Sequence, residues 1–197
     1  RAGDSASDLF AFEEAASQYE LAMQALELQS RPDPQQQVEL LLALSGAHRR
    51  SEMPEPSVGA ARQAVMVAEG LDDPELFARA ALSLADSVTR GPLWGTRAAV
   101  PFLERALDAC GPGPTSTRSR LLAALSLGLT DSTNLAADRD RRVATADEAR
   151  AIAEQIGDTQ ALAKALGALH FAMLGPQWIE RRLPIANEML GAAEASA

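Results

Sequence analysis

The sequence AEGLDDPELFARA at residues 68–80 returns in altered form as AEQIGDTQALAKA at residues 153–165. The two segments share five identical residues and four conservative replacements over thirteen positions, and they start 85 residues apart. An offset of 85 corresponds to two periods of about 42 residues, and self-similarity at about 20 to 50 residues is typical of solenoids. The segments therefore indicate a repeat protein.

Two series of packing residues recur with the same period. One, assigned to the second helix of each repeat, has intervals of 42, 42, 43 and 40 residues and consists of Ala22, Ala64, Ala106, Ala149 and Met189. The other, assigned to the first helix, pairs a leucine with a small residue, as in Leu44-Ser45, Leu84-Ala85, Leu127-Gly128 and Leu166-Gly167. Small side chains on one helical face allow close packing against a neighbouring helix. The series predict repeats over residues 1–32, 33–72, 73–113, 114–157 and 158–197, the first of them truncated.

The composition predicts an all-α fold. Hydrophobic residues make up 47% of the chain but aromatic residues only 4%, and the surplus is alanine and leucine, which favour helices over sheets. Asp33-Pro34, Asp73-Pro74 and Asp158-Thr159 have the pattern of helix starts. We expect a right-handed α-solenoid of about five antiparallel helix pairs forming one domain over residues 1–197. Because the chain begins at Arg1 without a methionine, we interpret it as a fragment of a larger protein.

The two tryptophans occupy equivalent turns. Trp94 and Trp178 each follow Gly-Pro and one further residue, and they lie 84 residues apart, or two repeats. We expect each to enter a second helix and pack over the turn rather than form a ligand platform. Pro101 is expected in a first helical turn, whereas Pro184 lies deeper and should bend or break its helix.

Charge excludes one class of partner. The net charge is −9 and the pI about 4.7, so this segment is not expected to bind nucleic acid, which requires a cationic surface. A single cysteine, Cys110, cannot form an internal disulfide, and neither a signal peptide nor an apolar run long enough for a membrane is present. These features predict a cytoplasmic protein without a membrane partner.

The chemistry-bearing residues lack the spacing of a catalytic or metal site. His48 and His170 occupy equivalent positions in different repeats. We expect both to be half-buried at the aromatic position of the repeat and too far apart to share a metal. Cys110 has no nearby histidine to activate it, and the pairs Glu13-Glu14 and Asp147-Glu148 are interpreted as solvated helix faces. We predict no catalytic residue, metal or cofactor, and hence no enzyme.

The repeat pattern resembles a known family. The first helices contain leucine, a small residue and then an aromatic residue or histidine, and the second helices contain Ala-x-x-x-Tyr-x-x-Ala, which resembles the tetratricopeptide repeat lengthened from its usual 34 or so residues. The segments starting at Phe10, Gly70 and Ile156 are similar to the helical half of large LuxR-type, MalT-like ATP-binding transcriptional regulators. No phosphate-binding loop of the Gly-x-x-x-x-Gly-Lys-Ser/Thr type occurs in this sequence.

A binding surface is predicted on the first helices, which line the concave face of such a solenoid. Counting outward-facing positions from each small packing residue places five of the 18 cationic residues there, beside apolar residues of the fourth and fifth repeats. This mixture suits a segment that carries carboxylates. The alternative for Arg49 and Arg50 is a favourable interaction with the end of their own helix. The predicted site consists of Glu39, Arg49, Arg50, Arg79, Asp86, Arg90, Leu125, Leu129, Lys164 and Phe171.

The resemblance and the surface together suggest a non-catalytic sensor or scaffold module of a bacterial transcriptional regulator. Its expected partner is a protein or peptide, with the ATPase domain of the same regulator as one candidate. A small-molecule effector enclosed by the superhelix is the alternative function, and an enzyme is a remote third. An uncapped repeat exposes apolar surface, so a homo-oligomer is also expected.

Overall fold

The computed structural model describes residues 2–89, 97–130 and 138–195, and all regular structure within these ranges is helical. This confirms the all-α class, and each predicted repeat range contains two helices. The described helices are α1 (Ala2–Asp8), α2 (Phe12–Glu27), α3 (Pro34–Arg50), α4 (Pro54–Ala68), α5 (Pro74–Val88), α6 (Val100–Cys110), α7 (Ser116–Gly128), α8 (Arg139–Ile156), α9 (Thr159–Ala172) and α10 (Ile179–Ala195), with a 3-10 turn at Pro176–Trp178.

The predicted helix starts are confirmed. The carboxylates of Asp33, Asp73 and Asp158 accept hydrogen bonds of 3.0, 3.0 and 2.9 Å from backbone N–H groups two or three residues later. Pro34 and Pro74 then occupy the first helical position, where a missing N–H costs no helical hydrogen bond. The caps thus start α3, α5 and α9 at equivalent points of their repeats.

The chain divides into two compact units, Arg1–Leu93 and Trp94–Ala197. The first contains α1–α5 and the second α6–α10. Their boundary lies in the segment that connects α5 to α6, within the third predicted repeat. A single domain over residues 1–197 stays a prediction.

In the first unit, each helix packs on the next along the chain. In addition, α3 packs on α5, so first helices one repeat apart are neighbours. The Tyr19 hydroxyl donates a 2.8 Å hydrogen bond to Asp4 and joins α2 to α1. A Cβ atom at Gly3 would lie 2.5 Å from the Tyr19 ring, so only glycine permits this approach. This local, sequential packing is typical of helical repeats.

A buried hydroxyl network joins α3, α4 and α5. The Ser45 hydroxyl lies 3.1 Å from the Ser57 carbonyl oxygen and 3.2 Å from the Ser87 hydroxyl. The Ser57 hydroxyl donates to the Ser45 carbonyl at 3.0 Å and lies 2.9 Å from the Ser87 hydroxyl. Small packing residues therefore also hold the polar contacts between helices of this unit, which buried hydroxyls require.

In the second unit, α6 packs on α7, α7 packs on both α8 and α9, and α9 packs on α10. The first-helix series lies at helix contacts of this unit and meets the second-helix series at Gly167 and Met189. A Cβ atom at Gly167 of α9 would lie 3.7 Å from the Met189 sulfur of α10, and one at Gly128 would lie 3.2 Å from Val100. Ala149 is fully buried. Close helix approach explains the small residues, as predicted.

An arginine occupies the core of the second unit. Arg142 of α8 stands where α4 has Ser57, and its side chain is buried. Its guanidinium lies 3.2 Å from the Thr130 hydroxyl, and its carbonyl accepts a 2.9 Å hydrogen bond from Ser126. Burial lowers the pKa of Arg142, with Arg139 contributing in the same direction.

The proline predictions have different outcomes. Pro101 lies in the first turn of α6, as predicted. For Pro184 we predicted a bend or a break. The break is wrong, because α10 continues through Pro184 from Ile179 to Ala195, and the bend stays a prediction. A proline at the sixth helical residue removes its own hydrogen bond to the Glu180 carbonyl and its ring crowds that carbonyl, and the packing of α10 on α9 offsets this local cost.

Candidate binding surface on the first helices

The exposed side of α3 and α5 carries paired charges one repeat apart. The Arg79 guanidinium donates two hydrogen bonds to the Glu39 carboxylate, at 2.5 and 2.7 Å. This bidentate contact raises the pKa of Arg79, with burial opposing it. Both side chains remain about half exposed. The geometry is one that arginine uses for planar carboxylate recognition.

A second pair lies towards the carboxyl ends of the same two helices. The Arg49 guanidinium of α3 lies 4.0 Å from the Asp86 carboxylate of α5, and both side chains are partly exposed. Glu39, Arg49, Arg79 and Asp86 define what we call the first-helix strip. The sequence predicted a cationic surface, but the strip contains cation and anion in equal number.

Two clefts border the strip. One, of about 520 Å³, lies between the first helix pair and α3, and the other, of about 420 Å³, lies at the amino ends of α3 and α5. Gln36 and Glu39 line both clefts, and Arg79 lines the second. The Glu39–Arg79 pair therefore adjoins space that a bound chain segment can enter.

The prediction that Leu125 and Leu129 belong to the binding surface is wrong. The structure buries both, with 5% and 0% of their surface exposed, so they do not line an open groove. The apolar residues of α7 are distributed around the helix, so the helix is buried on more than one side. Counting positions from Gly128 therefore could not identify a solvent-exposed face.

The remaining predicted site residues do not join the first-helix strip. Arg50 stands over the Phe12 ring of α2, 5.5 Å from its centroid. Lys164 and Phe171 belong to α9 in the second unit, where Lys164 is exposed and Phe171 half-buried. Arg90 lies outside the described residues. The structure thus joins four of the ten predicted residues in two ion pairs, both in the first unit.

The two histidines have different surroundings. His48 of α3 is buried, and its Nε2 lies 3.8 Å from a Glu20 carboxylate oxygen. Burial lowers the pKa of His48, and Glu20 opposes this effect. His170 of α9 is half-buried, and its Nε2 accepts a 2.7 Å hydrogen bond from Arg182. Within the described residues, no three His, Cys, Asp or Glu side chains form a group that could hold a metal.

The sequence did not identify Glu20 or Arg182 as histidine partners. The sequence does mark Arg182 as unusual, because it replaces the small residue at the first position of the second-helix pattern. Cys110 is the half-buried last residue of α6. Glu13 and Glu14 lie exposed in the first turn of α2, and Glu148 pairs with Arg118 at 2.9 Å.

Trp178 lies in the 3-10 turn before α10 and packs against the core of the second unit, which confirms its packing role. The Arg181 guanidinium lies 5.4 Å from its ring centroid. Trp94 lies outside the described residues. Within the described part of the chain, every helix falls short of the length or hydropathy needed to cross a membrane.

Comparison with known proteins supports the fold. No protein-family model and no curated protein matches the sequence. The structure is similar to BtubC (BKLC) from P. vanneervenii, with a TM-score of 0.74 and 15% identity over 98% of this chain and 78% of that one. It is also similar to Rap protein, solved in complex with Competence and Sporulation Factor, with a TM-score of 0.68 and 16% identity over 98% of this chain.

The chain spans about half the length of Rap protein, 52% of which is covered. At these identities the likeness concerns the fold. The predicted class, a tetratricopeptide-like helical repeat of the α-solenoid type, is confirmed.

Proposed function

We propose that this chain is a non-catalytic helical-repeat module that binds a protein or peptide through the first-helix strip. The observation that carries the proposal is the bidentate Glu39–Arg79 contact, in which an exposed arginine fork beside two clefts already holds a carboxylate. The fold shared with Rap protein, which was solved in complex with a binding partner, supports the same class of function.

The proposed partner carries a carboxylate that replaces Glu39 on Arg79. Exposed ion pairs stabilise a fold by about 0.2 to 1 kcal/mol, so exchanging one carboxylate for another costs little. The partner gains charge-assisted hydrogen bonds together with apolar contact in the neighbouring cleft, which Leu40 and Ala43 line. In this proposal, Glu39 occupies the site until the partner arrives.

The biological setting extends the proposal. On the resemblance of its helical segments to LuxR-type, MalT-like regulators, the module serves a bacterial transcriptional regulator as a sensor or scaffold. The ATPase domain of the same regulator is then a candidate partner. Detection of a phosphate-binding loop and a helix-turn-helix domain in the same polypeptide would support this setting.

Isothermal titration with a synthetic peptide of Glu, Leu and Ala tests the strip. Arg79→Gln should weaken binding about tenfold, because it removes charge-assisted hydrogen bonds to the partner carboxylate. Glu39→Gln should leave binding intact or strengthen it, because it frees Arg79. The control is Arg62→Gln, an exposed residue on the second helix α4 that carries the same charge.

Equal weakening by Arg79→Gln and Arg62→Gln would reduce the effect to net charge and contradict the proposal. Absence of measurable binding to the wild-type chain would do the same.

A further inference from the structure

The connection between α1 and α2 presents large apolar side chains to solvent. Leu9 and Phe10 are 79% and 81% exposed. The Phe10 ring meets the Phe12 ring edge to face, with 5.9 Å between their centroids. Both rings line a cleft of about 680 Å³ together with Glu13 and Glu14 of the first turn of α2 and with Arg50 of α3. None of the residues lining this cleft belongs to the first-helix strip.

The backbone at Phe10 is unfavourable for a phenylalanine. Its φ is 59°, in the left-handed region, and the N–H groups of Phe10 and Ala11 donate to the carbonyls of Ser7 and Ala6. This is the hydrogen-bond pattern of a Schellman helix end, whose left-handed position strongly favours glycine. At the end of α8 the same position is taken by Gly157, with a φ of 71°.

Folding does not account for this phenylalanine. Its side chain is too exposed to compensate for the backbone strain by burial, and a glycine would close the same turn without strain. Strained residues that do not serve the fold are characteristic of functional sites. Exposed aromatic side chains are also frequent anchors of protein interfaces.

The charge around Phe10 indicates the chemistry of the partner. Residues 2–28 include six acidic side chains and no lysine or arginine. An arginine of α3 reaches the aromatic rings, because the Arg50 guanidinium stands 5.5 Å over Phe12. Arg50 shows that a guanidinium binds here on an aromatic face. The six acidic residues are Asp4, Asp8, Glu13, Glu14, Glu20 and Glu27.

We propose that Phe10, Phe12, Glu13 and Glu14, here called the Phe10 patch, dock a basic amphipathic segment of a partner protein. An apolar side chain of the partner packs against Phe10 and enters the cleft. A lysine or arginine of the partner lies near the Glu13 and Glu14 carboxylates, where an opposite charge is favourable. This inference is independent of the first-helix strip.

Phe10→Gly separates binding from stability. Because glycine adopts the left-handed conformation readily, the melting temperature should stay the same or rise. The affinity for a synthetic peptide of Lys, Leu and Ala, measured by fluorescence anisotropy, should fall about tenfold, as expected for loss of an aromatic anchor. Met66→Ala is the control, because Met66 is also highly exposed but lies on α4.

A pair of charge variants tests the carboxylates. Glu13→Gln with Glu14→Gln should weaken binding of the Lys/Leu/Ala peptide and reduce its dependence on salt. Glu55→Gln with Asp72→Asn changes the net charge equally at exposed positions of the same unit and should have a smaller effect.

Three results would overturn the proposal. The first is an absence of measurable binding or equal affinity of the wild-type chain and Phe10→Gly. The second is equal weakening by the two charge variants. The third is sedimentation of the wild-type chain as a dimer that Phe10→Gly dissociates, which would assign the patch to a second copy of the chain.

Discussion

At the scale of single residues, Ala106 shows what the repeat requires of a side chain. It is fully buried in α6, which packs on α7. Ala106→Arg would force a charged side chain into this buried helix contact, and we expect it to destabilise the fold by about 3 kcal/mol. Denaturation followed by circular dichroism measures the change.

Arg50→Ala is the comparison for that measurement. Arg50 is exposed and contacts Phe12 through an exposed cation–π interaction, so its loss should cost less than about 1 kcal/mol. Small and equal effects of the two substitutions would contradict the assignment of Ala106 to the packing series.

His48 makes the stability of the fold depend on pH. Burial holds its pKa below the ordinary value of 6.5, so the unfolded chain binds more protons than the folded chain in this range. The stability that neutral His48 contributes is complete above pH 6.5 and is lost as pH falls from 6.5 through the lowered pKa. We therefore expect the free energy of unfolding to decrease in mildly acidic solution.

Urea denaturation at a series of pH values checks this expectation, with His48→Gln as the matched variant. The variant should show a shallower dependence just below pH 6.5. The pKa values of Asp4 and Asp158 are lowered from 3.8, so the stability that these carboxylates contribute is lost at a lower pH than the stability from His48. Identical pH dependence in wild type and variant, or a gain in stability on acidification, would refute the role of His48.

At the scale of helices, α10 tolerates a proline that its sequence disfavours. The Glu180 carbonyl cannot accept a helical hydrogen bond from Pro184, because proline has no N–H. Pro184→Ala should therefore raise the stability by about 2 kcal/mol in thermal or urea unfolding.

Pro101→Ala provides the matched control, because Pro101 lies in the first turn of α6 where no helical N–H bond is lost. It should bring no gain. A decrease in stability for Pro184→Ala, or an equal gain at both positions, would show that α10 depends on its proline.

The helix starts could be predicted from sequence, whereas the faces of some helices could not. Asp33 and Asp73 are followed by proline, and this local chemistry determines where α3 and α5 begin. In α7, apolar residues lie on several sides. The burial of Leu125, and of Leu129 directly after the helix, depends on neighbours that helical periodicity does not reveal. Local signals identify elements, and nonlocal packing decides which side of them remains exposed.

The candidate site was predictable to a similar extent. The repeat register placed Glu39, Arg49, Arg79 and Asp86 on one surface, and the structure joins them in two ion pairs. It did not predict that they pair with each other, because pairing depends on the distance between neighbouring helices. For the same reason the sequence treated Ser45 as a small packing residue and missed its hydroxyl network.

At the scale of the whole chain, contacts join residues one repeat apart in both units. Arg79 and Glu39 are 40 residues apart, Ser45 and Ser87 are 42 apart, and Ser116 and Asp158 are also 42 apart. The period in the sequence is therefore the spacing of contacts in the structure. Repeated surfaces of this kind suit extended partners, because each repeat contributes an equivalent part.

The central claim is that consecutive first helices form the binding surface. Titration of the isotopically labelled chain with the Glu/Leu/Ala peptide, followed by amide NMR shifts, tests it most directly. We expect saturable shifts concentrated in α3 and α5 around Glu39 and Arg79, and their loss in Arg79→Gln. Shifts concentrated instead on α2 and α4, or shifts that persist unchanged in Arg79→Gln, would contradict it.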